Sequence, residues 1–348
     1  MIKLKRNMLT IVTAVFVSIL IVGWIAPVCS FAGDKVYKWK MPSFLPRGTA
    51  AEKVREQWCK DVAVATNGRI QIQYFGAGEL LPPLQMWDAV KNGVIPIAFS
   101  YGSLFRGKTP LSMYSEGMCF TAPDLPGFHA LLYEYGLENI IRKSYAKKGV
   151  HLLRVLPCLY STMIGKFDFN TIDDLKKYKI RTGGPIAELL KEADVPTVYI
   201  SSVDIYSSMQ RGVIDATIGG PISYFYDLGF HEVSKYVLIP GIGPEADEII
   251  MNPKVWKSLP KDLQMILYQC TADLTEKITA SYTARDQKLL TKMKNEGGIK
   301  PIYLSDKVKN EMSEYMMKAA DKIGEKDPDF AEATKVVRGY LQTLGKIK

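Results

Sequence analysis

Apolar and polar residues alternate from Val36 to Met41, the period of a half-buried strand. Pro42 to Gly48 reads as a loop. Thr49 is placed to cap a helix from about Ala50 to Ala65, which Thr66-Asn67-Gly68 stops. Arg69 to Phe75 alternates again. A Gly/Pro loop follows, then a short helix from Leu84 to Asn92 ended by Gly93, and a third strand from Ile95 to Ser100. Strand, helix, strand, helix, strand is the order of βαβ units and predicts a mostly parallel sheet.

The second half repeats the theme. Pro126 to Lys148 reads as mostly helical and Val150 to Leu156 as an apolar strand. Thr171 to Lys177 forms a short helix, with Thr171 as cap and Asp174 three residues on. Strands at Lys179–Thr182, Thr197–Ile200 and Ile214–Ile218 alternate with helices at Ile186–Ala193 and Val203–Gln210, and Pro221 to Leu228 opens another helical stretch. Gly183-Gly184-Pro185 is a strand-to-helix turn. Pro260 to Asn295 contains no Pro or Gly after its start. At about 50 Å if fully helical, it is either two helices with a kink or one helix bracing both halves of the molecule.

The chain has 348 residues, beyond the usual size of a single core, so two domains are expected. Residues 1–32 differ from the rest. Lys3, Lys5 and Arg6 precede a charge-free run from Met8 to Val28, and Ser30-Phe31-Ala32 supplies small residues for a cut before Gly33. This is the layout of a secretory signal, with a retained anchor as the alternative. No later segment is apolar and long enough to span a bilayer. Without the leader's three basic residues the net charge falls from +9 to +6. Its Lys and Arg are scattered and never interleave with aromatics, which argues against nucleic acid. Cys59, Cys119, Cys158 and Cys270 match no metal pattern. Export permits disulfides; Cys119–Cys158 is one conceivable pair, which spacing does not decide.

Motifs for catalysis are missing. His231-Glu232 is followed by Val233-Ser234-Lys235, so zinc-protease spacing fails, and there is no Gly-x-Ser-x-Gly elbow, P-loop or dinucleotide glycine triplet. No cofactor is implied. Arg181 offers binding chemistry instead. It ends a short strand just before Gly183-Gly184-Pro185, where α/β sheets place ligands, and a guanidinium there can grip a carboxylate through two parallel hydrogen bonds. An arginine paired with a nearby acid is the competing reading.

Asp173-Asp174-Leu175-Lys176-Lys177-Tyr178-Lys179-Ile180-Arg181 resembles the "eDLkGlKiR" signature of the substrate-binding proteins of TRAP transporters (tripartite ATP-independent periplasmic transporters). Tyr206, Gln210, Gly212, Val213, Ile214 and Asp215 resemble the "Y.aLQ.GvvDg" block that follows, and Val255-Trp256-Lys257-Ser258-Leu259-Pro260 resembles the entry to that family's long helix. Thr66-Asn67-Gly68-Arg69, Gly78-Glu79-Leu80 and Ala89-Val90-Lys91-Asn92-Gly93 add upstream matches, so the resemblance covers essentially the whole mature chain.

The resemblance implies a two-lobe periplasmic binding-protein fold of α/β class with a long helix spanning both lobes. Lobe I would comprise 33–157 and 247–286, and lobe II 158–246 and 287–348. It implies a small carboxylate held between the lobes by Arg181 and passed to TRAP membrane permease subunits. Tyr160, Ser161, Phe44, Tyr101, Gly219, Gly220 and Tyr224 lie on loops or strand ends that could face the cleft, the aromatics suiting an aromatic or branched monocarboxylate. Two departures narrow the ligand. Tyr160-Ser161 stands where sialic-acid binders carry a second arginine. Ile218-Gly219 stands where keto-acid binders hold a metal through Glu-Trp, so no metal is expected. An ABC-type and a sensor-coupled binding protein remain the alternatives.

Overall fold

The computed structural model describes residues 35–45, 47–48, 50–201 and 204–347. The proposed leader and the Thr49 cap lie outside them. The alternating segment near the start forms β1 (Tyr37–Pro42), which pairs in parallel with β2 (Ile70–Phe75) across α1 (Ala50–Ala65). The turn between α1 and β2 has Asn67 and Gly68 both at positive φ, the backbone state that Asn and Gly tolerate best. Next come α2 (Met86–Lys91), β3 (Ile97–Tyr101) and α3 (Ser112–Glu116). The stretch read as one helix from 126 to 148 is two, α4 (Leu125–Tyr133) and α5 (Leu137–Lys147), broken at Gly136 with φ +81°.

Then β4 (His151–Ser161) runs past Pro157. Proline lacks the N–H a ladder needs, and the strand accommodates it beside a bulge. Leu159 faces Glu245 and Pro157 faces Ala246, leaving Cys158 as the extra residue. Five short strands follow with their helices: β5 (Met163–Gly165), α6 (Ile172–Leu175), β6 (Ile180–Arg181), α7 (Gly184–Glu192), β7 (Thr197–Val198), α8 (Ile205–Gln210), β8 (Ala216–Ile218), α9 (Ile222–Asp227) and β9 (Tyr236–Leu238). The Thr171–Asp174 capping box at α6 forms in both directions. The chain then returns as β10 (Gly243–Met251) and continues through α10 (Pro253–Ser258), α11 (Lys261–Gly297), β11 (Lys300–Ile302), α12 (Asp306–Gly324) and α13 (Pro328–Thr343).

Beside the parallel β1–β2 pair, one sheet has the order β3-β10-β4 and another the order β11-β9-β5-β8-β6-β7. The expectation of mostly parallel strands fails in the first sheet, where β10 is antiparallel to both neighbours. β10 inserts between strands that precede it by about ninety residues or more, a pairing no local pattern announces. The chain passes between the sheets at 161–163 and again at 238–243. α11 is a single helix of 37 residues. Leu263, Leu267, Leu274 and Ile278 pack into the core with Trp58, Phe99 and Ile249, while Leu289 and Met293 join a second core with Met209, Phe225 and Val237. One helix therefore feeds both cores, which decides between the two readings of this segment.

The four described cysteines are free thiols. Cys119 Sγ lies 3.5 Å from Met316 Sδ, and the Cys158 thiol points to the Glu245 carbonyl, so these two are not bonded. Burial pushes the Cys59 and Cys158 thiols up to about 12. Buried Arg55 of α1 pairs with Asp247 of β10 and lies over the Phe99 ring, pinning helix to sheet.

The continuity of α11 is testable at exposed Ala284, between its two core patches. Ala284→Pro should cost about 3 kcal/mol and Ala284→Gly about 1 kcal/mol in urea denaturation. Equal, negligible losses would show that the helix does not need to be continuous.

Candidate functional site

Two residues long, β6 lies between β7 and β8, parallel to both, and ends at Arg181. The Arg181 Nε donates to the Ile200 carbonyl at 2.9 Å, and the guanidinium lies over the Tyr199 ring, 5.3 Å from its centroid. These contacts fix the side chain without neutralising it: among the described residues no carboxylate pairs with Arg181. The register sets Thr217 of β8 directly beside it, on the same face of the sheet. Thr217 is 1% exposed, and its hydroxyl has no partner among the described residues.

Three residues past Arg181, α7 begins at Gly184 with φ +58°. A Cβ there would sit 3.1 Å from Ser103 Oγ and 3.5 Å from Glu116 Oε1. Glycine thus supplies both the left-handed backbone and the close approach. Ser103 and Glu116 belong to the other sheet's part of the chain, so the two parts meet here. Arg106 and Glu188 of α7 form an ion pair across the same junction.

The facing wall starts at Tyr101, the end of β3. Its hydroxyl donates to Glu116 Oε1 at 2.9 Å, the Ser103 hydroxyl donates to the other oxygen, and Phe44 stacks on the Tyr101 ring at 5.6 Å. Glu116 is 4% exposed. Half-buried Glu245 of β10 hydrogen-bonds Ser161, whose Oγ accepts from the Gly220 amide at 3.0 Å. Gly219 and Gly220 both have positive φ, and Gly220 backs onto the Tyr224 ring. Desolvation, then the Glu245 charge, pushes the Glu116 carboxyl well up; desolvation also raises Glu245. On the other face of β10, fully buried Glu248 accepts from Tyr145 at 2.9 Å and Ser100 at 3.1 Å, and burial pushes it up to about 7.

Neighbours therefore run from Arg181 through Tyr199, Gly183 and Gly184 to Glu116, Tyr101 and Phe44, while Glu245, Ser161, Gly220 and Tyr224 form a second group whose Glu245 charge is felt by Glu116. Tyr160 goes elsewhere. Its hydroxyl donates to the Pro123 carbonyl at 2.7 Å, and its ring lines a separate cavity of about 110 Å³ with Phe120, Lys309 and Lys346. Adjacent strand residues face opposite sides, and only Ser161 joins the wall. Sequence reasoning missed Glu116, Glu245, Glu248 and Thr217. Its available signal was acids inside apolar runs, Glu116 within Met113–Phe120 and Glu245 and Glu248 within Ile242–Met251.

Residues 43–327 match the model of DctP, the bacterial extracellular solute-binding protein family 7. The chain belongs to this family. DctP-family proteins are extracytoplasmic binding receptors of transporters, not enzymes. A similar relative is the monocarboxylate 2-oxoacid-binding periplasmic protein of Nostoc sp., 29% identical over 302 residues, 84% of this chain and 78% of that one. Among solved structures, a TRAP periplasmic solute-binding protein from Rhodobacter sphaeroides in an apo open form superposes with TM-score 0.79 at 20% identity, covering 89% of this chain and 99% of that one. Another, from Bordetella bronchiseptica with calcium and picolinate, gives TM-score 0.77 at 25% identity over 89% and 93% of the two chains. Colwellia psychrerythraea supplies a third, with calcium and pyruvate, at TM-score 0.78 and 23% identity over 89% and 95%. The DctP fold here is thus the two-lobe α/β fold with its long helix. No group of three or more metal-ligating side chains occurs among the described residues, and Ile218 and Gly219 offer no side-chain oxygen.

Burial of Glu248 has a pH signature. A carboxyl raised in the folded state contributes stability that is full below its unfolded value of 4.5 and is lost as pH rises through about 7. Glu248→Gln removes that loss. Thermal denaturation should show the variant gaining on wild type between pH 4.5 and 8, by up to about 3 kcal/mol. A difference independent of pH would mean that Glu248 is ionised throughout.

Proposed function

We propose that this DctP-family protein is the periplasmic receptor of a TRAP transporter. In this reading it captures a small organic acid between its lobes, with the carboxylate on Arg181, and delivers it to the membrane permease. The observation that carries the reading is the guanidinium held by the Ile200 carbonyl and Tyr199 ring with its charge unmatched by any described acid. A carboxylate arriving there completes a charge-assisted, two-pronged pair. Lobe closure around it excludes water and strengthens the pair.

Phe44, Tyr101 and Tyr224 give the pocket flat apolar surface, and Ser161, Gly219 and Gly220 give polar backbone and hydroxyl contacts. Binding of picolinate and pyruvate by structural neighbours supports a small carboxylate as guest. Calcium in those neighbours is not carried over, because Ile218 and Gly219 offer no side-chain oxygen. The basic start and apolar run of residues 1–32 support export by a signal peptide.

Losing one partner of a buried charge pair costs about 2–5 kcal/mol. Arg181→Ala should therefore weaken binding on the order of a hundredfold or more, measured by calorimetry with ligand recovered from natively purified protein. Unchanged affinity would refute the carboxylate clamp.

A further inference from the structure

We propose that the guest carries an ammonium group as well as a carboxylate, so that the cleft takes an amino acid or a close zwitterionic relative, with its ammonium set against Glu116 and Glu245. The proposal rests on the reading that Arg181 takes the carboxylate. It adds a second pole to the site and thereby names the ligand class.

The acidic wall is built and aimed. Glu116 is held on both oxygens, by Tyr101 and Ser103, and Glu245 is held by Ser161. Neither carboxylate has a Lys or Arg partner among the described residues. Arg106, the nearby cation, is engaged by Glu188. Two desolvated acids without a base beside them are costly unless protons stay on them or a cation arrives. Their raised proton affinity records that cost.

The opposite pole is also unfilled. Beside Arg181, the buried Thr217 hydroxyl has no partner in the described residues and shares the guanidinium's face of the sheet. A buried orphan hydroxyl needs an explanation, and a ligand carboxylate accepting from both groups provides one. The chain links the two poles: Gly184 follows Arg181 by three residues, and a Cβ on it would lie 3.5 Å from Glu116 Oε1. A zwitterionic molecule matches the two poles in charge.

Plain acids suit it less. A 2-oxo acid sets another acceptor against two carboxyl groups, so a proton has to remain on one of them. A 2-hydroxy acid brings one donor. An ammonium brings three donors and a positive charge, and it lets both carboxyls ionise. Tyr101, whose own ionisation is suppressed by burial, stays a donor throughout. Glu248 lies behind the sheet with Tyr145 and is not part of the wall.

The test compares the 2-amino, 2-hydroxy and 2-oxo acids of the alanine, leucine and phenylalanine skeletons by calorimetry on the full mature chain, in phosphate and in Tris at pH 7. The amino acid of at least one skeleton should bind at least about tenfold tighter than its two analogues, with proton release read from the buffer dependence. Glu116→Gln should erase that preference, weakening the amino acid without weakening the analogues, with Glu245→Gln as the second variant should the first not fold. Arg181→Ala should weaken every ligand. Tighter binding of an oxo or hydroxy acid, or an amino preference untouched by both glutamines, would overturn the zwitterion and leave the Arg181 reading intact. A screen in which only other carboxylates bind would do the same. Amino-acid binding that survives Arg181→Ala but falls in Glu116→Gln would sink the carboxylate clamp instead.

Discussion

The antiparallel ladder between β4 and β10 holds the rest in place. It runs from His151 opposite Met251 to Ser161 opposite Gly243, and at its far end both strands hand the chain to the other sheet. One side of the candidate site is positioned from that end. Glu245 and Ser161 sit on it, Gly220 is tied to it through the Thr162 amide and the Ser161 hydroxyl, and Glu248 lies one layer behind. Arg55–Asp247 fastens the same ladder to α1. Shifting the register by one residue would turn Ser161 away and bring Tyr160 in.

Legibility followed distance along the chain. The Arg181 strand end, the Thr171–Asp174 cap and the Gly183-Gly184-Pro185 turn are local features, and residue type plus spacing was enough to read them. Gly184 shows the limit of that reading. Its place in a turn was visible, but its approach to Glu116, 68 positions earlier, was not. The insertion of β10 between β3 and β4 was hidden for the same reason. Taking consecutive strands as neighbours led to a parallel sheet.

Tyr160 and Ser161 teach a different lesson. Both stand at a position the sequence offers to the cleft, although strand periodicity lets only one of two adjacent residues face a given space. The buried acids were hidden in another way. An acidic residue in an apolar run reads as a solvent-facing position, and only tertiary packing reveals that it is desolvated.

The free thiols have a consequence for biogenesis. Once folded, Cys59, Cys119 and Cys158 are sheltered inside packed cores, where the reactive thiolate form is suppressed. Were the chain exported unfolded, as the proposed leader implies, it would have no such shelter and would meet an oxidising compartment with every sulfur accessible. On that route maturation is a race between collapse and crosslinking, in which slow folding favours scrambled disulfides.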